Sequence, residues 1–322
     1  MITFGPVPSR RLGQGLGVNN IPPKACKYSC AYCQLGRTKK MEAKFRPFYD
    51  PNDIQKSVAP KIDLVEKAGE SIDYVTFVPD GEPSLDINLG NEIERLRGTG
   101  KKIAVITNSS LIWHERVKEA LKKADWVSVK VDSVQKDIWR KINRPHRSLE
   151  LEKILNGIID FAREFQGKLV TETMLVRNLN DKEEHIKKLA QFMNRLSPDI
   201  VYLSVPIRPP AEKWVLPPTE ETLIRAYHLL NTEVKNVEYL IGYEGKAFAF
   251  TGDVDKDLLD ITAVHPMREE AVTEFLKKAK AEWSAVDQLI KKGLMVKKNF
   301  QSKTFYTRKL FAPQNNEILN HE

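Results

Sequence analysis

Every cysteine of this chain lies in one loop: Cys26, Cys30 and Cys33, separated by three and then two residues within Lys24-Ala25-Cys26-Lys27-Tyr28-Ser29-Cys30-Ala31-Tyr32-Cys33-Gln34. Thiolates spaced so closely can converge on one soft metal centre, because the chain can wrap around it. Three ligands complete neither a tetrahedral zinc site nor a four-cysteine iron–sulfur cluster, so one coordination position stays open to another molecule. Two other readings stand beside it: a zinc site whose fourth ligand is a distant histidine, and a group of buried apolar thiols. The Pro-flanked, Lys-rich setting argues against buried structural thiols.

The spacing, with Tyr32 just before the last cysteine, resembles the signature of the radical S-adenosylmethionine (SAM) superfamily. The resemblance implies a 4Fe–4S cluster on Cys26, Cys30 and Cys33, with SAM chelating the unique iron. It also implies reductive cleavage of SAM to a 5′-deoxyadenosyl radical, with electrons from a donor such as ferredoxin or flavodoxin. Phe4-Gly5-Pro6-Val7-Pro8-Ser9-Arg10-Arg11-Leu12-Gly13 and Cys33-Gln34-Leu35-Gly36-Arg37-Thr38 look like an uncharacterised group of that superfamily near the wyosine-forming tRNA enzymes. The chain departs from those enzymes in lacking a second cysteine cluster.

At 322 residues and 41% hydrophobic content, the chain can bury a large core. No apolar run is long enough to span a bilayer, and the N-terminus lacks a signal-peptide apolar region. Three neighbouring cysteines offer no disulfide framework, so a reducing, cytoplasmic setting is expected. Oligomeric state is not legible.

Past the cysteine loop, apolar strands (Tyr74–Val78, Lys102–Thr107, Trp126–Val131, Leu169–Val176, Ile200–Val205) alternate with helical patterns. With one glycine-rich strand before the loop, whose backbone must pass close to something bulky, this gives six βα units. The expected fold is α/β: a partial (β/α)6, TIM-like barrel over residues 1–252. Two short strands, Glu238–Ile241 and Ala247–Phe250, are expected at its side.

Chemistry in such barrels gathers at the C-terminal strand ends. Pro79-Asp80-Gly81-Glu82-Pro83 matches the superfamily's Gly-Glu-Pro element, with Asp80 in place of the first glycine, and the resemblance implies that Gly81, Glu82 and Pro83 hold the SAM amino group. Thr107, Asn108 and Ser109 resemble a Thr-Asn-Gly stretch at the next strand end. Lys130, Asp132, Ser133, Thr173, Ser204 and Val205 cap later strands, and with Tyr32 they complete the expected cofactor contacts. Arg10 and Arg11 suit an anion. The basic loops carrying Arg144, His146 and Arg208 are the other candidates for substrate contact.

Residues 253–322 read as a small winged helix-turn-helix domain: helices Val254–Thr262, Arg268–Lys278 and Ser284–Lys292, then a hairpin of Leu294–Lys298 and Thr304–Leu310. Between Lys277 and Phe311, ten bases stand against Glu282 and Asp287, which equals the whole chain's formal charge of +8 and leaves the remainder balanced. Lys291, Lys292, Lys297, Lys298, Lys303, Arg308 and Lys309, interleaved with Phe300, Phe305 and Tyr306, form an electrostatic footprint for phosphates with stacking partners. The leading expectation is a radical enzyme acting on RNA, most naturally tRNA. The alternatives are a radical enzyme for a protein or small molecule, with the tail as a docking module, and an iron–sulfur transcription regulator.

Overall fold

The computed structural model describes residues 2–38, 40–42, 44–241, 248, 250 and 252–309. An eight-stranded sheet runs in sequence order: β1 Thr3–Ser9, β2 Gly13–Val18, β3 Tyr74–Phe77, β4 Lys102–Thr107, β5 Trp126–Lys130, β6 Lys168–Met174, β7 Ile200–Ser204 and β8 Val237–Leu240. The β1–β2 pair is antiparallel and every later pairing is parallel. The six expected units are β2 to β7. The antiparallel β1 and the short β8 extend them, and among the described residues the hydrogen-bonded order runs from one of these strands to the other without closing. The glycines of β2 have a local cause, since a Cβ on Gly17 would lie 2.0 Å from the Phe4 ring of β1. The expected strand at Ala247–Phe250 falls largely outside the described residues.

Helices cover the outer face of the sheet. Helix α1 (Pro51–Lys67) was not singled out in the sequence, though its start and period are readable. Asp50 accepts from Asn52 N, Pro51 opens the first turn, and Ile54, Val58, Ile62 and Val65 form one buried face. The connections carry α2 (Leu89–Arg97), α3 (Glu115–Leu121), α4 (Lys136–Ile142), α5 (Leu151–Glu164), α6 (Glu183–Leu196) and α7 (Glu220–Asn231). The main core lies between these helices and the sheet. A second apolar layer of Leu12, Ala104, Trp126, Val170, Tyr202 and Leu240 fills the inner face toward the N-terminal strand ends, so the β1–β2 turn stoppers the barrel from below.

The tail forms α8 (Val254–Val264), β9 (Met267–Arg268), α9 (Glu269–Ala279), α10 (Ser284–Lys291), β10 (Met295–Phe300) and β11 (Lys303–Arg308), with the three strands in one antiparallel sheet. The expected helices and hairpin are present, and Leu310 lies outside the described residues. The tail has its own core around Phe275, Leu276, Val286 and Tyr306, and Val7 of β1 packs against it. Lys61 of α1 reaches Asp257 at 3.7 Å, and Lys278 reaches Glu70 at 2.5 Å. Phe305 and Tyr306 are buried at 1% and 3% exposure, which removes both from the expected stacking set; of the three aromatics only Phe300 is half-exposed. Adjacent residues of a strand point to opposite faces, so β11, the central strand of its sheet, is covered on both.

Phe275→Ala should cost about 3–5 kcal/mol through the cavity it leaves. Because the tail is keyed to β1 and α1, urea unfolding of this variant should show one transition, shifted to lower denaturant. Two separated transitions would show that the tail unfolds independently.

Candidate active site

Among its described residues, the segment from Asn19 to Asp50 holds no helix and no regular strand, so much of its backbone is satisfied by surrounding loops and element ends. Glu82 N donates to Ala25 O at 2.9 Å, Ala31 N to Ile142 O at 2.8 Å and Glu212 N to Ala31 O at 3.1 Å, while Tyr28 bridges Pro145. Gly81 must be glycine for this clamp, because a Cβ there would sit 2.2 Å from the Ala25 carbonyl. The three cysteines are free thiols, and all line one cavity of about 390 Å³ within the barrel.

Each sulfur faces an N–H donor. Asn108 Nδ2 lies 3.2 Å and Tyr28 N 3.4 Å from Cys26 Sγ, Asn143 Nδ2 lies 3.5 Å from Cys30 Sγ, and Lys24 Nζ lies 3.5 Å from Cys33 Sγ. Burial pushes the Cys26 thiol well up and the Cys30 thiol to about 12, so both stay protonated until a cationic centre offsets the desolvation. Among the described residues no three His, Cys, Asp or Glu side chains are gathered tightly enough for a single ion. Separated thiols, each with its own donor, fit three corners of a cluster.

Glu82 is enclosed and does not line the cavity. Its carboxylate accepts from Ser84 N, Ser84 Oγ and Thr107 Oγ1 through one oxygen, and from Asn108 N at 2.7 Å through the other. It fixes the strand end that aims Asn108 at Cys26. Pro83 starts a short 3-10 turn beneath it. Ser109 takes the left-handed φ of 66°, a conformation that favours glycine, and accepts from Lys130 N. Gly81, Thr107, Asn108, Lys130, Ser204, Val205, Tyr32, Arg10, Arg11 and Arg208 all line the cavity.

Other expected residues are placed elsewhere. Asp132 is buried, accepting from Tyr32 Oη at 2.5 Å, Asn143 Nδ2 at 2.6 Å and Met174 N at 2.8 Å, and Ser133 turns to Gln135. Thr173 donates to Val131 O on the helix-facing side of β6. Arg144 is not brought to the cavity: it and Arg37 share Glu212, whose carboxyl they hold down at about 2. His146 is likewise outside, bonded to Ser148 at 2.8 Å.

Glu172 is the residue that sequence reading missed. In β6 the pleat turns Glu172 and Met174 inward and Thr171 and Thr173 outward, so the expected polar contacts were one residue out of register. Glu172 pairs with Lys130 Nζ at 2.8 Å on the adjacent strand, with Arg11 rising from the lower turn, and with Ser204 Oγ at 3.1 Å. Burial would raise its pKa, but Lys130 and then Arg11 more than offset that and bring it to about 2. Lys130 is held protonated by the same carboxylate, against the desolvation that would lower it. The tail also reaches the cavity. His265, just past α8, lies 2.9 Å from Arg208 Nη2, and Arg208 Nη1 lies 2.8 Å from Gln34, the neighbour of Cys33.

Glu172→Gln should leave two cations without their shared counter-charge and cost about 3–5 kcal/mol at neutral pH. Because the folded carboxyl is depressed below its ordinary 4.5, this contribution is complete above pH 4.5 and is lost as pH falls toward 2. Denaturation of wild type and variant across that range should therefore converge at the acid end.

A family model described as Radical SAM superfamily matches residues 20–190. A UPF0026 protein of Methanocaldococcus jannaschii is 47% identical over 98% of both chains, and one of Helicobacter pylori strain J99 is 32% identical over 66% of this chain and 68% of its own. Among solved structures, a radical SAM methyltransferase from Sphaerobacter thermophilus has a TM-score of 0.53 at 14% identity, covering 70% of this chain and 66% of its own. TYW1 with a lysine-pyruvate adduct has a TM-score of 0.51 at 17% identity, covering 68% and 74%. At those identities the two structures share the fold with this chain. Membership of that family supports an enzyme over the transcription-regulator reading. With its three thiols, their amide donors and the clamped Gly-Glu-Pro turn around one cavity, this chain belongs to the radical SAM superfamily, whose enzymes use a 4Fe–4S cluster and SAM.

Proposed function

We propose that the chain modifies RNA, with tRNA the expected class, and that the tail presents the substrate to the barrel. The observation carrying this reading is the exposure of Lys291, Lys292, Lys297, Lys298, Lys303 and Lys309, clustered around α10 and the β10–β11 hairpin. Arg308 is half-buried, and Lys303 keeps one distant acid, Glu270, at 3.8 Å. Lysines that neutralise no acid favour a polyanion. The winged helix-turn-helix assignment for residues 253–322 belongs to this reading.

Cys26, Cys30 and Cys33 would hold the cluster, with Asn108, Asn143 and Lys24 stabilising thiolate charge through N–H donors. When bound, the cluster supplies the electron that cleaves SAM to methionine and a 5′-deoxyadenosyl radical. Protonated Lys130 offers a charge partner for a carboxylate in the cavity, and Glu172 keeps that ammonium in place. The β1–β2 turn and the inner apolar layer close the lower end of the barrel and keep bulk water from it.

Replacing any one of the three cysteines with Ala should abolish the iron–sulfur charge-transfer absorbance and SAM cleavage in anaerobically reconstituted protein. Stoichiometric zinc in place of iron would overturn the assignment. Replacing Lys291, Lys292, Lys297 and Lys298 with Ala should weaken binding to total tRNA. The slope of log affinity against log salt should fall by about 0.7–0.9 for each phosphate contact removed, with substrate-free SAM cleavage unchanged. Equal, salt-insensitive affinity in wild type and variant would overturn the RNA reading in favour of a protein-docking tail. Point variants are preferred to truncation at Gly252, because truncation also removes His265 from the cavity.

A further inference from the structure

Cys26 lines the cavity, but Lys27 beside it does not, although Lys27 is only 5% exposed. Buried ammonium groups ordinarily pair with a carboxylate. Among the described residues the Lys27 ammonium makes no hydrogen bond and no ion pair, and it lies over the face of Phe45, 5.6 Å from the ring centre. The acid that acts on it, Glu42, is engaged with Arg46 at 3.2 Å. Burial outweighs the pull of Glu42, so the Lys27 pKa is lowered.

The same ring gathers two more nitrogen groups. Arg116 is exposed near the start of α3, with its guanidinium carbon 5.7 Å from the Phe45 centre, and the half-buried His114 ring stands perpendicular to Phe45 at 4.8 Å. Trp113 backs the imidazole at 3.7 Å. The side chains of His114 and Arg116 make no hydrogen bond or ion pair among the described residues, and the neighbouring acid, Glu115, is taken by Lys118 at 2.7 Å. Burial, and then the charges of Lys27 and Arg116, push the His114 imidazole down. Three nitrogen groups thus crowd one aromatic ring with no anion between them. Cation–π attraction offsets part of their repulsion, and a bound anion would relieve the rest.

The chain around this cluster is basic. From Lys24 to Arg46 seven bases face one acid, Glu42, and from Arg140 to Arg147 four bases face none. Backbone bonds from His146 N to Lys27 O and from Ala31 N to Ile142 O hold the two stretches side by side. Elsewhere cations are matched by acids, as in Lys122 with Glu119 and Glu164 and in Lys187 with Glu183. Arg140, Lys141 and Arg147 are exposed and pair with no carboxylate among the described residues.

We propose that Lys27, His114 and Arg116 form a phosphate site on the outer side of the cysteine loop, and that it takes a backbone phosphate of the RNA. The inference rests on the RNA reading and adds to the tail a second contact, on the barrel itself. A phosphate presents oxygens in several directions, which suits donors converging from two loops, and a guanidinium can hold two of them. Such contacts fix position without reading sequence. With its backbone anchored one residue from Cys26, a nucleotide can turn its reactive part into the cavity while the charged backbone stays outside. A protein partner is less suited, because a protein interface has an apolar centre and none of the large apolar side chains exposed among the described residues belongs to this cluster.

The test measures binding of total tRNA to the reconstituted full-length protein across a salt series, with inorganic phosphate as a competitor at constant ionic strength. Arg116→Ala, at an exposed position, and Lys27→Met, which keeps an apolar stem against Phe45, should each weaken binding about tenfold at low salt, with iron content unchanged. The double variant should lower the slope of log affinity against log salt by about 0.7–0.9, the value for one phosphate. Inorganic phosphate should compete with tRNA more strongly in the wild type than in the double variant. Wild-type affinity in both single variants, or a slope lowered by two phosphates or more, would overturn the inference. Phosphate competition lost with tRNA affinity retained would also overturn it and give the site to a free anion. Absence of tRNA binding in the wild type would overturn the RNA reading itself, whereas binding lost only on replacing the tail lysines would leave that reading standing and refute this site.

Discussion

The cysteine loop makes no regular secondary structure, and the site depends on how its backbone is satisfied. An irregular segment with half-buried thiols would leave unpaired polar groups unless other parts of the chain supplied partners. Here they come from three places: the Gly81-Glu82 turn after β3, the Ile142–Pro145 stretch at the end of α4, and Glu212 beyond β7. Glu82 extends the arrangement inward, because the carboxylate that stays hidden under the turn also orders Thr107 and Asn108, and Asn108 reaches a cysteine. The metal-binding spacing is local in sequence, but its geometry is imposed by the whole barrel.

Charge inside the barrel follows a comparable economy. Glu172 serves two cations that approach from different directions, Lys130 from the neighbouring strand and Arg11 from the turn below. Lys130 is thereby held in its ionised form within a confined space, which preserves an electropositive wall without leaving a bare buried charge. Arg37, Arg144 and Glu212 repeat the motif outside the cavity at the rim of the cysteine loop.

Much of this was legible in the sequence. The alternation of apolar strands with helices leads to the barrel because it is a local pattern with a physical cause, and the three cysteines and the Gly-Glu-Pro turn lead to the cofactors through their resemblance to the superfamily's motifs. What escaped reading depended on a pairing partner. Thr173 was expected to reach the site where Glu172 does, since period-two alternation in a strand buried on both faces does not say which face is inward. Arg144 carried the right charge, but Glu212, sixty-eight residues away, claims it. Phe305 and Tyr306 were interleaved with lysines, yet β11 is the central strand of its sheet and both of its faces are covered.

The contact between His265 and Arg208 bears on how the molecule comes together. Most of the cavity wall is complete once β7 and its following loop have formed, but one lining residue belongs to a segment synthesised near the end of the chain, and α8 must pack back against β1 at the very beginning. Contacts between such distant parts of a sequence are late events in folding. The cavity therefore has its full lining only when the two ends of the chain have met, so a change in the packing of α8 on β1 reaches the cavity wall through His265 and Arg208.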